Sequence, residues 1–328
     1  MRRPFPTPMV LALFAGMALA APPDKQVDES LYVGSKTCEE CHRQGYRRFE
    51  ATKMAKVFFE APRNPLESRG CEACHGPGRE HVQKERERDQ ARTMGIAYTG
   101  PKSSEFIVRL GKDSPLSVRE RNAQCLQCHE KGQRLFWKGS AHEARGLACA
   151  TCHQIHKKAE QILVATRFQE PLSDNRLFVK STQMEVCFEC HQMRRAQLQR
   201  SSHMPFREGK VTCASCHNVH GSPNPKLLHE VSVNETCYKC HAERRGPFLW
   251  EHPPVMENCL NCHEPHGSSH PQLLKASAPR LCQRCHIPSR HPTTPQLATA
   301  RFAFNRGCPN CHSQLHGSNH PSGMRWHR

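Results

Sequence analysis

The five-residue spelling Cys-x-x-Cys-His constrains this chain more than any other feature, because it is written ten times and uses all 20 cysteines. The copies run from Cys38 to His42, Cys71 to His75, Cys125 to His129, Cys149 to His153, Cys187 to His191, Cys213 to His217, Cys237 to His241, Cys259 to His263, Cys282 to His286 and Cys308 to His312. Their second cysteines are Cys41, Cys74, Cys128, Cys152, Cys190, Cys216, Cys240, Cys262, Cys285 and Cys311. Zinc ribbons, thioredoxin-like redox pairs and disulfide frameworks also pair cysteines, but none requires a histidine after the second one. Attachment of c-type haem does: both thiols add to porphyrin vinyl groups, and the adjoining histidine lies under the iron as proximal ligand. Ten covalently bound haems c are expected, and no cysteine remains for another task.

The chain begins Met1-Arg2-Arg3, continues with an apolar run from Met9 to Ala20 and reaches small residues at Ala18-Leu19-Ala20. That is the spelling of a secretory signal peptide over residues 1–20, too short to span a bilayer. Export by general secretion and a periplasmic cytochrome domain over residues 21–328 are expected. About 31 residues then serve each motif, too few for a conventional core around each cofactor. With 37% hydrophobic residues, 25 Pro and 19 Gly, the haems themselves must supply most of the buried apolar surface. The expected fold is a multihaem cytochrome c, mostly irregular with short α-helices and little or no β. The net charge of +17 invites a nucleic-acid reading, but haem propionates reduce it to roughly +5 in the oxidised protein. No groove-reading motif accompanies the charge, so nucleic acid is not an expected partner.

The motifs alternate in kind, giving five two-haem units at about 36–94, 123–169, 185–229, 235–274 and 280–320. Each even motif is followed closely by a further histidine: His81, His156, His220, His266 and His316. In four units another lies between the odd and the even motif: His142, His203, His252 and His291. These nine are the expected distal ligands. A trailing histidine lies on the proximal side of its own iron, so each should cross to a neighbouring haem.

The first unit has no histidine between His42 and Cys71, and aligning Glu50-Ala51-Thr52-Lys53-Met54 with Gly139-Ser140-Ala141-His142 puts Met54 at the missing position. Met54 is the expected tenth distal ligand; the competing reading packs it against Tyr46, Phe49 and Val57. His229, His270, His320 and His327 are the rivals. Of these, His270 occupies a His-Gly-Ser turn position that holds Asn224 in the preceding unit, His320 falls in the same turn, and the other two lack repeat counterparts.

Helices are expected at Gln44 to Phe59, Arg79 to Met94, Lys157 to Arg167 and Gln192 to Ser201, the second a solvated helix of mixed charge. Alternation in Glu105-Phe106-Ile107-Val108-Arg109 suggests a brief strand. The spacing of odd motifs shrinks from 87 residues (Cys38 to Cys125) to 45 (Cys237 to Cys282), so the C-terminal half should be the more tightly wired.

The count, order and alternation of these motifs, with their His-Gly-Ser turns, resemble the periplasmic decahaem c-type cytochromes of the MtrA, PioA and DmsE type over essentially the whole mature chain. The resemblance implies a slender cytochrome whose haems form one wire, associated with the outer membrane inside a porin-like β-barrel partner. It also implies exchange with periplasmic electron carriers and an extracellular multihaem cytochrome. Fully six-coordinate irons pass electrons but offer no substrate site, so the expected function is an electron conduit, not an enzyme, serving extracellular Fe(II) oxidation or metal reduction. A thioether at Met54 would make its haem the most oxidising, which suits inward flow. The alternatives are a soluble periplasmic shuttle, a filament unit, and a multihaem reductase with one open haem.

Overall fold

A computed structural model describes residues 28–156, 177–286 and 308–325, apart from 205, 207 and 322. The signal peptide, the helix expected at Lys157 to Arg167, His291 and His327 lie outside the described residues. Within them the chain is a succession of short helices and turns, with isolated β-bridges and no strand. Among the described residues ten hydrophobic side chains are buried, four of them alanines, and no large side chain is fully enclosed. These residues by themselves build no continuous core, as expected of a chain with so few residues per motif.

The longest element, α1 (Ser35–Glu50), is followed by the shorter α2 (Lys53–Phe59), and the other long elements are α3 (Arg79–Thr93) and α4 (Val118–His129). The first motif lies inside α1, which kinks at His42 and continues to bury Tyr46 and Phe49. Thr52 accepts a hydrogen bond from Ala55 N and starts α2, which folds back so that Tyr46 and Phe49 meet Phe58 and Phe59. Helix α3 matches the solvated helix expected there: Lys84–Glu87, Arg88–Glu85 and Arg92–Asp89 pair along it, and it buries only Ala91. No strand forms at Glu105 to Arg109. No second strand lies beside it among the described residues; Val108 instead exchanges a single rung with His75, donating its N–H to the His75 carbonyl.

Motifs three, five and seven close short helices that begin at hydroxyl caps. Ser117 with Glu120 and Thr182 with Glu185 form capping boxes ahead of motifs three and five, and Ser232 accepts from Glu235 N ahead of motif seven. Even motifs are single turns after which the backbone extends at His153 and His217. A polar side chain three residues before an odd motif then staples it to the even one. Ser35 accepts from Cys71 N at 3.1 Å, Asn122 from Cys149 N at 2.8 Å and Asn234 from Cys259 N at 2.7 Å.

Successive motif pairs are clasped by the His-Gly-Ser turns. Gly267, at φ +138°, lies so near the Gln197 carbonyl that a Cβ there would sit 2.1 Å from its oxygen. Ser268 N donates to Ser201 O at 2.9 Å. The same clasp recurs where Ser318 and Trp250 exchange both backbone hydrogen bonds, at 3.0 and 2.9 Å. In each case the turn after an even motif grips the segment just ahead of the middle histidine of the preceding pair.

Candidate haem-binding sites

Numbering the sites by motif order, the fold sets two histidine rings opposite one another at eight of them, with interplanar angles from 13° to 67°. Proximal His42 meets His81 at a centroid separation of 6.1 Å, His75 meets His156 at 6.1 Å, and His153 meets His220 at 6.1 Å. At site 5 His191 meets His142 at 6.3 Å, at site 6 His217 meets His266 at 6.2 Å, and at site 7 His241 meets His203 at 6.0 Å. His263 meets His316 at 6.1 Å and His286 meets His252 at 6.2 Å. Two imidazoles bound through Nε2 to one metal, at bonds of about 2 Å, hold their ring centroids roughly 6 Å apart. The residues therefore fit a haem iron between each pair.

The pairings follow one rule. A middle histidine reaches the first site of the next motif pair, as His142, His203 and His252 do, and a trailing histidine reaches the second site of the preceding pair. In the first pair the trailing His81 instead reaches site 1 of its own pair. No trailing histidine faces its own proximal residue.

Hydrogen bonds at the far ring nitrogen aim these rings. Nδ1 of proximal His75, His217, His263 and His312 bonds to the carbonyls of Val108, Lys226, Gln272 and Arg325 at 2.6 to 2.8 Å. Distal His81, His142, His156 and His252 bond likewise to Ser103, Val219, Gly45 and Leu315 at 2.7 to 3.1 Å. Donation from Nδ1 fixes the tautomer that leaves Nε2 to the metal. Two of these acceptors sit in strained hooks: Lys226 and Leu227 have φ of +57° and +58°, and Gln272 and Leu273 have +51° and +56°. Left-handed backbone at four non-glycine residues costs free energy that is tolerated where it presents a functional group. The sequence reading missed these hooks, although Pro225-Lys226-Leu227-Leu228 and Pro271-Gln272-Leu273-Leu274 stand at the same distance after their proximal histidines.

Burial holds His75, His129, His191, His217 and His252 below the ordinary histidine value, and pushes His316 down to about 4. Neutral imidazole is the form that ligates.

The thiols, which stand where thioether sulfurs form, neighbour one another in strict chain order. Within pairs the first cysteines touch: Cys38 with Cys71, Cys125 with Cys149, Cys187 with Cys213, Cys237 with Cys259 and Cys282 with Cys308. Between pairs the second cysteine of the even motif meets the next odd one. Cys74 lies within electrostatic reach of Cys125 and Cys128, Cys152 of Cys190, Cys216 of Cys240 and Cys262 of Cys285.

Met54 is half-buried at the second position of α2, two residues after the Thr52 cap, as His142 is two residues after the Ser140 cap of its own short helix. Among the described residues no imidazole faces His129 of site 3. Among the rivals, His229 has its Nε2 committed to the Ala214 carbonyl at 3.0 Å.

Paired CXXCH sites on a chain whose described residues form short helices and no sheet define a multihaem c-type cytochrome, a carrier of electrons. The doubled CXXCH motif family matches residues 203–246 and 252–291, and the NrfB-like cytochrome c-type protein family matches residues 71–170. The multihaem cytochrome MtrA of Shewanella baltica is 40% identical over 311 residues, 92% of this chain and 84% of that one. The cytochrome c-type protein NrfB of Haemophilus influenzae is 24% identical over 39% of this chain and 67% of its own length. Cytochrome c-554 of Nitrosomonas europaea is 29% identical over 33% of this chain and 41% of its own. The chain belongs to the MtrA family of multihaem cytochromes.

Proposed function

We propose that this protein holds ten haems c in one line and conducts electrons across the outer membrane inside a β-barrel partner, between periplasmic carriers and extracellular iron or another metal. The observation that carries the reading is the order of the cysteines: motif n neighbours motif n + 1 along the described chain, first cysteines within pairs and second cysteines between them. Bound haem supplies one-electron redox chemistry at each site. The chain's part is to fix the sites end to end, and at the eight sites with paired histidines a bound haem would be held by two imidazoles, which would leave no place for substrate there. Among the described residues no helix is long and apolar enough to cross a membrane.

Met54 is proposed as the distal ligand of site 3. It stands in the first motif pair where His142, His203 and His252 stand in later ones, and those three reach the first site of the following pair. Arg63, just beyond α2, lies within electrostatic reach of Cys128 of motif three. A thioether there raises the potential of that haem above its bis-histidine neighbours, which favours electron flow inward from a donor such as Fe(II). For site 10 the proposed distal ligand is His291.

The test is mild detergent extraction of native outer membranes, following haem-stained protein of this mass. Co-migration with a β-barrel protein supports the conduit; recovery wholly in the soluble periplasm, without a barrel, overturns it in favour of a shuttle.

A further inference from the structure

The ligand His266 is set apart from eight others by what its far nitrogen bonds; a second carboxylate, Glu243 Oε1, stands 3.7 Å from His241 Nδ1, beyond hydrogen-bonding distance. Eight ligating histidines direct Nδ1 at backbone carbonyls, whereas His266 Nδ1 donates to Glu264 Oε1 at 3.0 Å. Glu264 follows proximal His263, where the other even motifs carry Gly76, Gln154, Asn218 and Ser313. The turn at this position needs an acceptor and not a charge: Asn218 Oδ1 accepts from His220 N at 3.2 Å, just as Glu264 Oε1 accepts from His266 N at 3.4 Å. The negative charge is therefore surplus to the turn, and it is directed at the ligand. The nearest cation is Arg194, whose Nη1 stands 4.0 Å from Glu264 Oε1, beyond hydrogen-bonding distance, while donating to Gln197.

We infer that Glu264 is a positioning residue that tunes the haem of site 6, held by His217 and His266, to a lower reduction potential than a carbonyl-bonded ligand would give. A carboxylate accepting the Nδ1 proton makes the imidazole more basic and a stronger donor at Nε2, which stabilises ferric over ferrous iron. The inference rests on ligation by His217 and His266 and is independent of any barrel, so it is tested on the isolated holoprotein.

In E264Q the amide oxygen still accepts from His266 but the charge is gone. Spectropotentiometric titration should show the amplitude of a single haem moving upward by about tenfold in its reduction equilibrium, ~59 mV for one electron. The low-spin electron paramagnetic resonance signal of that haem should shift with it. R194Q removes the opposing cation from an exposed side chain and should move the same amplitude downward. An E264Q titration superimposable on the parent overturns the inference, as does carbon monoxide uptake by reduced E264Q, the mark of a turn that has merely released His266. R194Q does not decide alone, because Arg194 also lies within electrostatic reach of His217 and His191. Should E264Q yield no holoprotein, Glu264→Asn, which installs the residue that the preceding turn carries at Asn218, decides in its place, and an unmoved titration overturns the inference.

Discussion

Replacing Gly267 with alanine separates the clasp between motif pairs from the general flexibility of the chain. The residue sits at φ +138°, and an added Cβ would lie 2.1 Å from the Gln197 carbonyl oxygen and 2.8 Å from its carbon. The backbone conformation costs an alanine about 2 kcal/mol, and forcing aside a backbone carbonyl costs about 1–3 kcal/mol more. Roughly 4 kcal/mol exceeds what the hydrogen bond from Ser268 to Ser201 returns, since such a bond contributes only about 1 kcal/mol net. The clasp should open locally and carry His266 away from site 6, while the covalent attachment of haem persists. Reduced G267A should therefore take up one equivalent of carbon monoxide that the parent does not. Gly139→Ala is the control, because that glycine has φ +82° with nothing within 4 Å of the added Cβ, so it bears the backbone cost without the overlap. Equal and negligible carbon monoxide uptake by both variants would refute the clasp argument.

Three further outcomes follow from the same geometry. His142→Ala should open site 5, across the pair boundary, giving one carbon monoxide-binding haem. The double variant with His191→Ala should remove that site's bis-histidine spectrum without opening a second haem. Met54→His should abolish the far-red absorption band of thioether-ligated ferric haem and lower the highest midpoint in the titration, whereas a parent protein lacking that band would exclude Met54 as a ligand. Acid should displace the buried histidines only well below the ordinary value of 6.5: burial, chiefly, holds His316 down to about 4, and a metal competing for the same nitrogen lowers proton affinity further. The low-spin spectrum should therefore persist from neutral pH to about pH 4, and a high-spin spectrum appearing near pH 6 would contradict this.

The motifs, their alternation and most candidate ligands were legible in the sequence because covalent haem attachment demands a contiguous spelling. The pairing of ligands was not: His75 and His156 meet at site 2 across 81 positions, and His263 and His316 at site 8 across 53. Such partners are set by how the clasps stack successive pairs, which no local pattern encodes. Helix α3 was legible from its charge spacing, and its first turn also delivers His81 to site 1. The alternation at Glu105 to Arg109 misled because it describes a face without saying whether a partner strand exists. The capping boxes before motifs three and five were spelled out as Ser117 with Glu120 and Thr182 with Glu185, and reading them would have placed those helices.

The central claim is tested most directly by electron transfer across a sealed membrane. Vesicles enclosing a reduced viologen dye would be assembled with the holoprotein and the barrel protein that co-extracts with it, and a ferric acceptor added outside. Rapid dye oxidation that requires both proteins together is the predicted result. Oxidation no faster than in vesicles holding the barrel alone would contradict the account.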